Sequence, residues 1–327
     1  MTFRLAGFLL AALLAGCAGW PQPAGGLPTP ACAETAGRVP GDARIRLAID
    51  EARRQHQFFG APTIGRDGGI FRTGFHEAGW GRPVGESVPA WQRVAGFWRA
   101  LSEADPASLM TSAGRVARAQ ALPPPAADGS EPDPARVAVH EALLRAAIVD
   151  TPWSAAFISH LMRTAGFEAA EFAFSDSHSD YVRAALDASA AEAQGGEPSH
   201  AFRACDAATT PPRAGDLLCA TRAGTAGTTR FEALAAAMAA RPAEQGFPMH
   251  CDLVVHAGAG SDDGLETIGG NVLNSVTLSQ MAVNGRKVLS DAYLTGAQAD
   301  RECGAGELPC RGHLSRRPWL VLLQFRR

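Results

Sequence analysis

A serine at the start of an apolar segment is the residue of this chain best placed to act as a nucleophile. Ser154 follows Pro152 and Trp153 and opens the apolar residues 155–158. A hydroxyl in the first turn of a helix lies beside unpaired backbone N–H groups, at the positive end of the helix dipole. The segment therefore predicts a nucleophile. A structural interpretation is also open, in which Ser154 only stabilises the N–H groups of the helix start.

Two later segments carry polar side chains that could complete such a site. His250 and Asp252 lie two positions apart, so their side chains share one face if this segment is a strand. Side chains at that spacing are expected to be rather far apart for direct contact. Asn271 follows Gly269-Gly270 at the end of another apolar segment. In the structural interpretation, His250 and Asp252 bind each other or the backbone, and Asn271 holds a turn.

The order of these segments resembles the NlpC and CHAP superfamily of papain-like cell-wall peptidases and amidases. That pattern is a Trp-Cys-Ala-Ala-Phe-Val helix, a Pro-x-x-Gly-Asp strand, a His that starts the next strand, and a Gly-Asn. The matching segments here are Trp153 to Ser159, Pro212 to Asp216, His250-Cys251-Asp252 and Gly269-Gly270-Asn271. With Ser177-His178-Ser179-Asp180-Tyr181, they look more closely like an uncharacterised family of proteobacterial lipoproteins related to that superfamily. The resemblance covers residues 135–326.

The resemblance implies catalytic roles for three residues. Ser154 falls at the nucleophile position, His250 at the general base, and Asn271 at the residue that orients the imidazole. The superfamily has cysteine where this chain has Ser154. A thiol has a pKa of about 8.5 and ionises readily beside a histidine, whereas a hydroxyl loses its proton only during attack. A serine therefore depends more on its base, and Asp252 is a candidate for the carboxylate that supports the histidine in serine triads.

The remaining polar residues of the resemblance are expected along the rim of the same cleft. These rim residues are Trp153, His178, Asp180 and Tyr181. Another interpretation is a zinc amidase, because His178, Asp180, His250, Asp252 and His256 are residue types that bind zinc. However, short polar residues such as His178-Ser179-Asp180 at a helix start usually cap it. We therefore predict that the site contains no metal and needs no cofactor.

The N-terminus has the features of a bacterial lipoprotein signal. Arg4 precedes the apolar residues 5–15, which are fewer than the about 20 that cross a bilayer. The run ends in Leu14-Ala15-Gly16-Cys17, which resembles a lipobox, so cleavage is predicted before a lipidated Cys17. An ordinary signal peptide that contains a cysteine is the alternative. Ala18 follows rather than Asp, and by resemblance to enteric lipoproteins this predicts sorting to the outer membrane, facing the periplasm.

Composition restricts the partners. The net charge of −3 argues against nucleic acid as a ligand. The expected partners are the lipid membrane, through Cys17, and peptidoglycan. Besides Cys17, the chain has Cys32, Cys205, Cys219, Cys251, Cys303 and Cys310, an even number that is compatible with disulfides in an oxidising compartment. A Cys303–Cys310 pair is the first expectation, and Cys219 and Cys251 are alternatively two buried thiols.

Helical patterns precede strand patterns along the chain. Apolar spacing predicts helices over residues 42–59, 87–101, 134–149 and 152–165, and a further helix after Ser177, whereas residues 60–85 are expected to be irregular. Strands are predicted at residues 217–220, 253–256, 265–268, 276–278 and 320–325. This order favours an α+β fold, with an antiparallel sheet packed against helices. The resemblance specifies a papain-like fold of the NlpC and CHAP type.

Five segments result from these patterns. They are a signal peptide (1–16), a lipidated Cys17 with a flexible tether (17–41), an N-terminal helical accessory region (42–121), a Pro-rich linker (122–134) and the papain-like domain (135–327). The expected function is hydrolysis of a peptidoglycan amide by a serine-type peptidase or amidase. The alternative is a noncatalytic binding or scaffolding lipoprotein that keeps a degenerate hydrolase cleft.

Overall fold

A computed structural model describes residues 30–101, 133–222, 228–242, 245–294 and 313–326. The predicted signal peptide, Cys17, the tether up to residue 29, linker residues 122–132 and the expected Cys303–Cys310 pair lie outside these ranges. Within the described ranges, no helix has both the length and the apolar character needed to cross a membrane.

Helices and strands do not alternate regularly along the chain. Most of the helices come first, and most of the strands follow. The helices are α1 Pro30–Glu34, α2 Ala43–Phe58, α3 Ala90–Phe97, α4 Pro134–Asp150, α5 Ser154–Thr164, α6 His178–Ala193 and α7 Phe231–Ala239. Short 3₁₀ turns occur at Trp98–Ala100 and Asp291–Tyr293. The strands are β1 Thr63–Ile64, β2 Ile70–Arg72, β3 Phe202–Asp206, β4 Leu217–Thr221, β5 Met249–Ala257, β6 Gly264–Val272, β7 Ser275–Ala282 and β8 Trp319–Phe325.

All eight of these strands form one sheet, in the order β2-β1-β7-β6-β5-β4-β8-β3. Neighbouring strands are antiparallel, except that β1 runs parallel to β7. The strands β5 and β6 lie side by side, so His250, Asp252 and the end of β6 are brought to the same part of the sheet. The mixed α+β class predicted from the sequence is thus confirmed.

Both faces of the sheet are buried at its central strands, whereas the edge strand β2 is exposed. On β4, Leu217 and Cys219 belong to the larger apolar core, whereas Leu218 and Ala220 belong to a smaller one. This alternation follows from the period of two along a strand. The larger core also receives the apolar residues of α5, and α5 contacts β5 and β6 directly. Helix α5, which begins at Ser154, is therefore fixed against the strands that carry His250, Asp252 and Asn271.

The described part of the N-terminal region does not form a core of its own. Ile45, Trp91 and Phe97 are buried in the same apolar core as α5 and the sheet. Helix α2 contacts α5 and β5, and β1 adds to the edge of the sheet beside β7. The segment predicted as an accessory region thus packs, in its described residues, as part of one core.

Two disulfides join described cysteines, which bears out the expectation of disulfides. Cys32 is bonded to Cys205 across 173 residues of sequence, and Cys219 to Cys251 across 32 residues. Cys219 and Cys251 lie directly opposite each other on the antiparallel strands β4 and β5. The alternative of two buried thiols at these positions is therefore wrong, because the register of these strands brings the sulfur atoms together.

The structure differs from the predicted elements at several places. Helix α5 begins at Ser154 rather than Pro152, and no side chain caps its start. Residues 60–85, expected to be irregular, contain the short strands β1 and β2. The sequence pattern did not indicate β3, because Arg203 and Asp206 interrupt its apolar character, yet Arg203 is 5% exposed and pairs with Glu192.

Candidate functional site

Trp153 fixes the start of helix α5. Its indole is fully buried, and its ring centroid lies 5.6 Å from that of Phe97. The indole N–H donates a 2.6 Å hydrogen bond to the Glu77 carboxylate, itself only 2% exposed. Burial raises the pKa of Glu77, and the indole N–H acts against that shift. Both contacts hold the residue that precedes Ser154, so the position of the hydroxyl is set by packing rather than by a capping side chain.

The hydroxyl of Ser154 lies against a histidine from another helix. The distance between Ser154 Oγ and His178 Nε2 is 2.7 Å. The other ring nitrogen of His178, Nδ1, forms a short hydrogen bond with the Tyr181 hydroxyl. His178 and Tyr181 are three residues apart on α6, a spacing that places side chains on one helix face. Ser154 thus contacts a histidine whose orientation a phenol fixes.

His250 and Asp252 form a second buried pair on strand β5. The distance between His250 Nε2 and Asp252 Oδ1 is 2.7 Å. The Thr267 hydroxyl donates to the other carboxylate oxygen at 3.2 Å. The expectation that residues two apart on a strand are too far for contact is therefore wrong here, because the imidazole is long enough to reach along the strand face. Asp252, and not Asn271, contacts the His250 ring.

Gly269 and Gly270, which precede Asn271, leave space for the Asp252 side chain and for helix α5. A Cβ atom on Gly269 would overlap the Asp252 carboxylate, and one on Gly270 would overlap the Phe157 side chain. Asn271 itself has a φ of 54°, in the left-handed region that Asn tolerates better than most residues. These glycines therefore let β6 pass close to both halves of the site.

Arg222 connects the Ser154–His178 pair with the His250–Asp252 pair. Its Nη2 lies 3.3 Å from Ser154 Oγ and 3.2 Å from His250 Nδ1. A hydrogen-bonded chain consequently runs through the described residues in the order Tyr181, His178, Ser154, Arg222, His250, Asp252 and Thr267. Ser154 and His250 are both bonded to Arg222 in this arrangement.

Donor and acceptor chemistry determines the protons in part of this chain. A guanidinium only donates, so the Nδ1 of His250 must accept from Arg222, and its Nε2–H then donates to Asp252. Ser154 Oγ likewise accepts from Arg222, which leaves the hydroxyl proton free to be donated to Nε2 of His178. His178 then donates its Nδ1–H to the oxygen of Tyr181. This set of protons makes His178 the acceptor for the serine proton.

The pKa values agree with neutral imidazoles. Burial lowers the pKa of His178 well below its usual 6.5, and the nearby His250 and Arg222 act in the same direction. Burial also lowers the pKa of His250, although Asp252 opposes that shift. Burial raises the pKa of Tyr181 well above 10.0, so its phenol stays protonated. Burial alone would raise the pKa of Asp252, but its interaction with His250 outweighs this and keeps it ionised.

A cavity of about 250 Å³ opens beside His250. Its lining consists of Ala220, Thr221, Arg222, His250, Asn271, Val272 and Arg317. Asn271, predicted to orient the imidazole, thus lines the cavity next to the histidine. Ser154 is not in the lining and is only 3% exposed. Arg222 lines the cavity and also contacts the Ser154 hydroxyl, so its guanidinium lies between the cavity and the serine.

Three of the four residues predicted at the cleft rim are buried. Trp153 and Tyr181 are fully buried, and His178 is 5% exposed. Asp180 accepts a 2.6 Å hydrogen bond from the Ser175 hydroxyl. His256, the last candidate of the zinc interpretation, instead pairs with Asp262 at the surface. Across the described ranges, no group of three or more His, Cys, Asp or Glu residues could hold a metal ion.

Sequence reasoning missed Arg222, Arg317 and Glu77. Arg222 follows directly after strand β4, whose partner β5 carries His250, so the strand pairing Ala220↔His250 is what brings the guanidinium to the imidazole. Arg317 comes from the approach to β8 and Glu77 from a loop before α3. The spacing of residues along the chain does not indicate that these three side chains come to the site. The one available signal was that an Arg follows an apolar strand next to the strand with His250.

Comparison with known proteins gives a family but no relative of known activity. The model of the family described as "Uncharacterized protein conserved in bacteria (DUF2272)" matches residues 86–325, well over half of the chain. No curated protein and no solved structure matches the chain significantly. The matched range contains every member of the hydrogen-bonded chain around Ser154. This protein therefore belongs to the bacterial family DUF2272.

Proposed function

We propose that this protein is a cell-envelope lipoprotein that hydrolyses an amide bond of peptidoglycan, with Ser154 as the nucleophile. The observation that carries the proposal is the 2.7 Å contact between the Ser154 hydroxyl and His178 Nε2 at the start of α5. A nucleophile within hydrogen-bond reach of a base, which a third group orients, is the arrangement that serine hydrolases need. Here Tyr181 is the third group.

The proposed reaction begins with attack of Ser154 Oγ on the carbonyl carbon of the amide. The hydroxyl proton passes to His178 Nε2 as the new C–O bond forms, and the carbonyl oxygen becomes negatively charged. His178 then gives this proton to the leaving nitrogen as the C–N bond breaks, which leaves an acyl-serine. Water attacks the ester in the same way and releases the acid. Backbone N–H groups at the start of α5, together with Arg222, would stabilise the negative oxygen.

His250 and Asp252 have a different role in this proposal. The resemblance to the NlpC and CHAP superfamily implies His250 as the base, but Arg222 lies hydrogen-bonded to both His250 and Ser154. We assign His250 and Asp252 to holding the Arg222 guanidinium at the serine. His178 takes the proton instead.

The choice of substrate rests on two features of the sequence. The lipobox-like Leu14-Ala15-Gly16-Cys17 predicts a lipid anchor at the outer membrane, facing the periplasm, where peptidoglycan lies. The ordered segments around Ser154, His250 and Asn271 resemble a papain-like superfamily whose members cleave cell-wall amides. The α+β sheet with α5 packed on its central strands is compatible with such a fold.

Digestion of peptidoglycan tests the proposal. The purified full-length chain in detergent should release fragments with new amine and carboxyl ends, which mass spectrometry identifies. Ser154→Ala should lower the rate at least about a thousandfold. Ser159→Ala is the matched control, since Ser159 lies on the same helix but bonds to the backbone of Ser175. If Ser154→Ala keeps wild-type activity, or if both variants lose it equally while folded, the nucleophile assignment is wrong.

A second candidate is a binding lipoprotein without catalysis. The observation that favours it is the position of Arg222, which contacts both Ser154 and His250 and separates the serine from the histidine that the resemblance implies as its base. In that case the protein binds peptidoglycan in pull-down experiments and releases no fragments. Unchanged binding by Ser154→Ala, with no products from either protein, would support this second function.

A further inference from the structure

A buried carboxylate from outside the family-matched range lies next to the start of helix α5. Glu77 is only 2% exposed and belongs to the segment between β2 and α3. Its carboxylate accepts the 2.6 Å hydrogen bond from the indole N–H of Trp153, the residue that immediately precedes Ser154. The family model begins at residue 86. The residue before the proposed nucleophile is therefore held by a part of the chain that the family match does not include.

Backbone contacts fix the segment that carries Glu77. The Glu77 N–H donates a 2.8 Å hydrogen bond to the Asn274 carbonyl, in the turn between β6 and β7. Arg145 Nε, from helix α4, donates at 2.7 Å to the carbonyl of Ala78, the next residue along the chain. The segment is thus held by two separate elements. Its carboxylate is consequently presented to the Trp153 indole from a fixed backbone.

Stability alone does not explain an acid at this position. In the part of the chain that the structure describes, no Lys, Arg or His forms an ion pair with Glu77. Burial raises the pKa of Glu77, although the Trp153 N–H and His76 oppose that shift. A glutamine could accept the same hydrogen bond without a charge to bury. What the carboxylate adds is a stronger bond to the indole, because ionised acceptors bind N–H groups more tightly than amides do.

We propose that Glu77 is a positioning residue of the hydrolysis, whose hydrogen bond to the Trp153 indole keeps the Ser154 hydroxyl in contact with His178. This inference rests on the proposed hydrolase function. No side chain caps the start of α5, so the Glu77 bond is a polar contact that fixes this end of the helix. Displacement of a reacting group by about 1 Å can lower a rate about a hundredfold. The 2.7 Å contact between Ser154 Oγ and His178 Nε2 is therefore sensitive to the loss of this bond.

Glu77 acts through Trp153 rather than on the substrate. Its side chain is hydrogen-bonded to the Trp153 indole and to neither Ser154 nor His178. It is also absent from the lining of the cavity beside His250. Removing the indole N–H should therefore have the same effect on Ser154 as removing the Glu77 carboxylate. This equivalence is what separates a positioning residue from one that touches the reacting atoms.

Nitrogen NMR of the histidines tests the contact without catalysis. The full-length chain with ¹⁵N-labelled histidine is studied in detergent micelles, and His178→Gln assigns the Nε2 resonance. Ser154→Ala gives its position without the serine hydroxyl. Glu77→Leu should move the resonance most of the way to that position, whereas Glu77→Gln should stay close to the wild type. The matched control is Glu51→Gln, another buried acid that contacts α5, but further along the helix at His160, and it should leave the resonance unchanged.

Rates of fragment release from peptidoglycan measure the consequence for catalysis. Glu77→Leu and Trp153→Phe each remove the hydrogen bond, so each should lower kcat about a hundredfold and change KM by less than about threefold. The double variant should be no slower than either single variant. Glu77→Gln should lose about three- to tenfold, because an amide oxygen is the weaker acceptor. If Glu77→Leu does not fold, Trp153→Phe and Glu77→Gln make the same comparison.

The outcomes separate this inference from the proposed function. A wild-type His178 resonance in Trp153→Phe and Glu77→Leu would overturn the positioning role. Losses of kcat that add in the double variant, or an equal loss in Glu51→Gln, would overturn it as well. If the resonance moves as expected but the wild type releases no peptidoglycan fragments, Glu77 still positions Ser154 and the hydrolase proposal is wrong.

Discussion

The Oγ of Ser154 and the Nε2 of His178 lie 2.7 Å apart, although 24 residues separate them in sequence. Ser154 opens α5, and His178 opens α6, so the contact joins the first turns of two helices. Both side chains are nearly inaccessible to water. The contact therefore depends on how each helix is packed on the sheet, since α5 contacts β5 and β6 and α6 contacts β3 and β5.

The two histidines should differ in their effect on activity. His178→Gln removes the proton acceptor and should lower kcat about a hundredfold to ten-thousandfold. His250→Gln should act less strongly, because it loosens Arg222 without removing the contact of Ser154 with His178. His256→Gln is the control at the surface. Initial rates of fragment release from peptidoglycan compare the variants. A larger loss in His250→Gln than in His178→Gln would reassign the base to His250.

Activity and stability should both decline at acidic pH because of His178. Burial holds the pKa of His178 well below 6.5 in the folded protein, so folding favours its neutral form. The stabilising contribution is present above pH 6.5, the value of the unfolded chain, and is lost as the pH falls through the folded pKa. The acidic limb of kcat/KM should likewise lie below pH 6.5.

Urea unfolding at several pH values measures this effect. The free energy of unfolding of the wild type should fall more steeply below pH 6.5 than that of His178→Gln. His256→Gln, changed at an exposed histidine, should follow the wild type. Parallel pH dependences for the wild type and His178→Gln would contradict the prediction.

Gly269 should not tolerate a side chain. In Gly269→Ala, the Cβ atom would overlap the Asp252 carboxylate and force the His250–Asp252 pair to move. Such overpacking costs about 1–3 kcal/mol of unfolding free energy. Gly285→Ala is the matched control, because a Cβ there would meet no atom within 4 Å. Thermal and urea unfolding check the difference, and equal stability of the two variants would show that the site adapts.

The two disulfides should have separable effects. Removing either pair should cost about 2–5 kcal/mol of unfolding free energy. Cys251 lies between His250 and Asp252 on β5, so the double variant Cys219→Ala/Cys251→Ala should also lower activity. The double variant Cys32→Ala/Cys205→Ala should lower stability and leave kcat close to the wild-type value. Urea unfolding and rate measurements on both variants test whether only the Cys219→Ala/Cys251→Ala variant loses activity. An equal loss of kcat in both would show that the effect is general.

The sequence predicts much of the architecture because periodicity is a local property. The patterns around residues 42–59 and 134–149 correspond to α2 and α4, and the five predicted strand segments lie within β4 to β8. The pattern did not indicate β3 or α7. In β3 the charged Arg203 is neutralised by Glu192, a partner that packing supplies and the local pattern does not show.

The sequence by itself determined some of the residues of the site and the order of the segments that carry them. It identified Ser154 at a helix start, His250 and Asp252 on one strand face, and Gly269-Gly270 before Asn271. Their types and spacing are enough to place them on elements, because backbone geometry repeats every two or 3.6 residues. The lipid anchor at Cys17 also follows from local sequence and remains a prediction.

Only the tertiary structure decided which of these side chains meet. The packing of α5 and α6 on the same sheet brings His178 to Ser154, and the pairing of β4 with β5 brings Arg222 to His250. The cross-strand register likewise decides that Cys219 pairs with Cys251. Contacts between distant segments depend on how whole elements pack, and no spacing along one segment encodes that information.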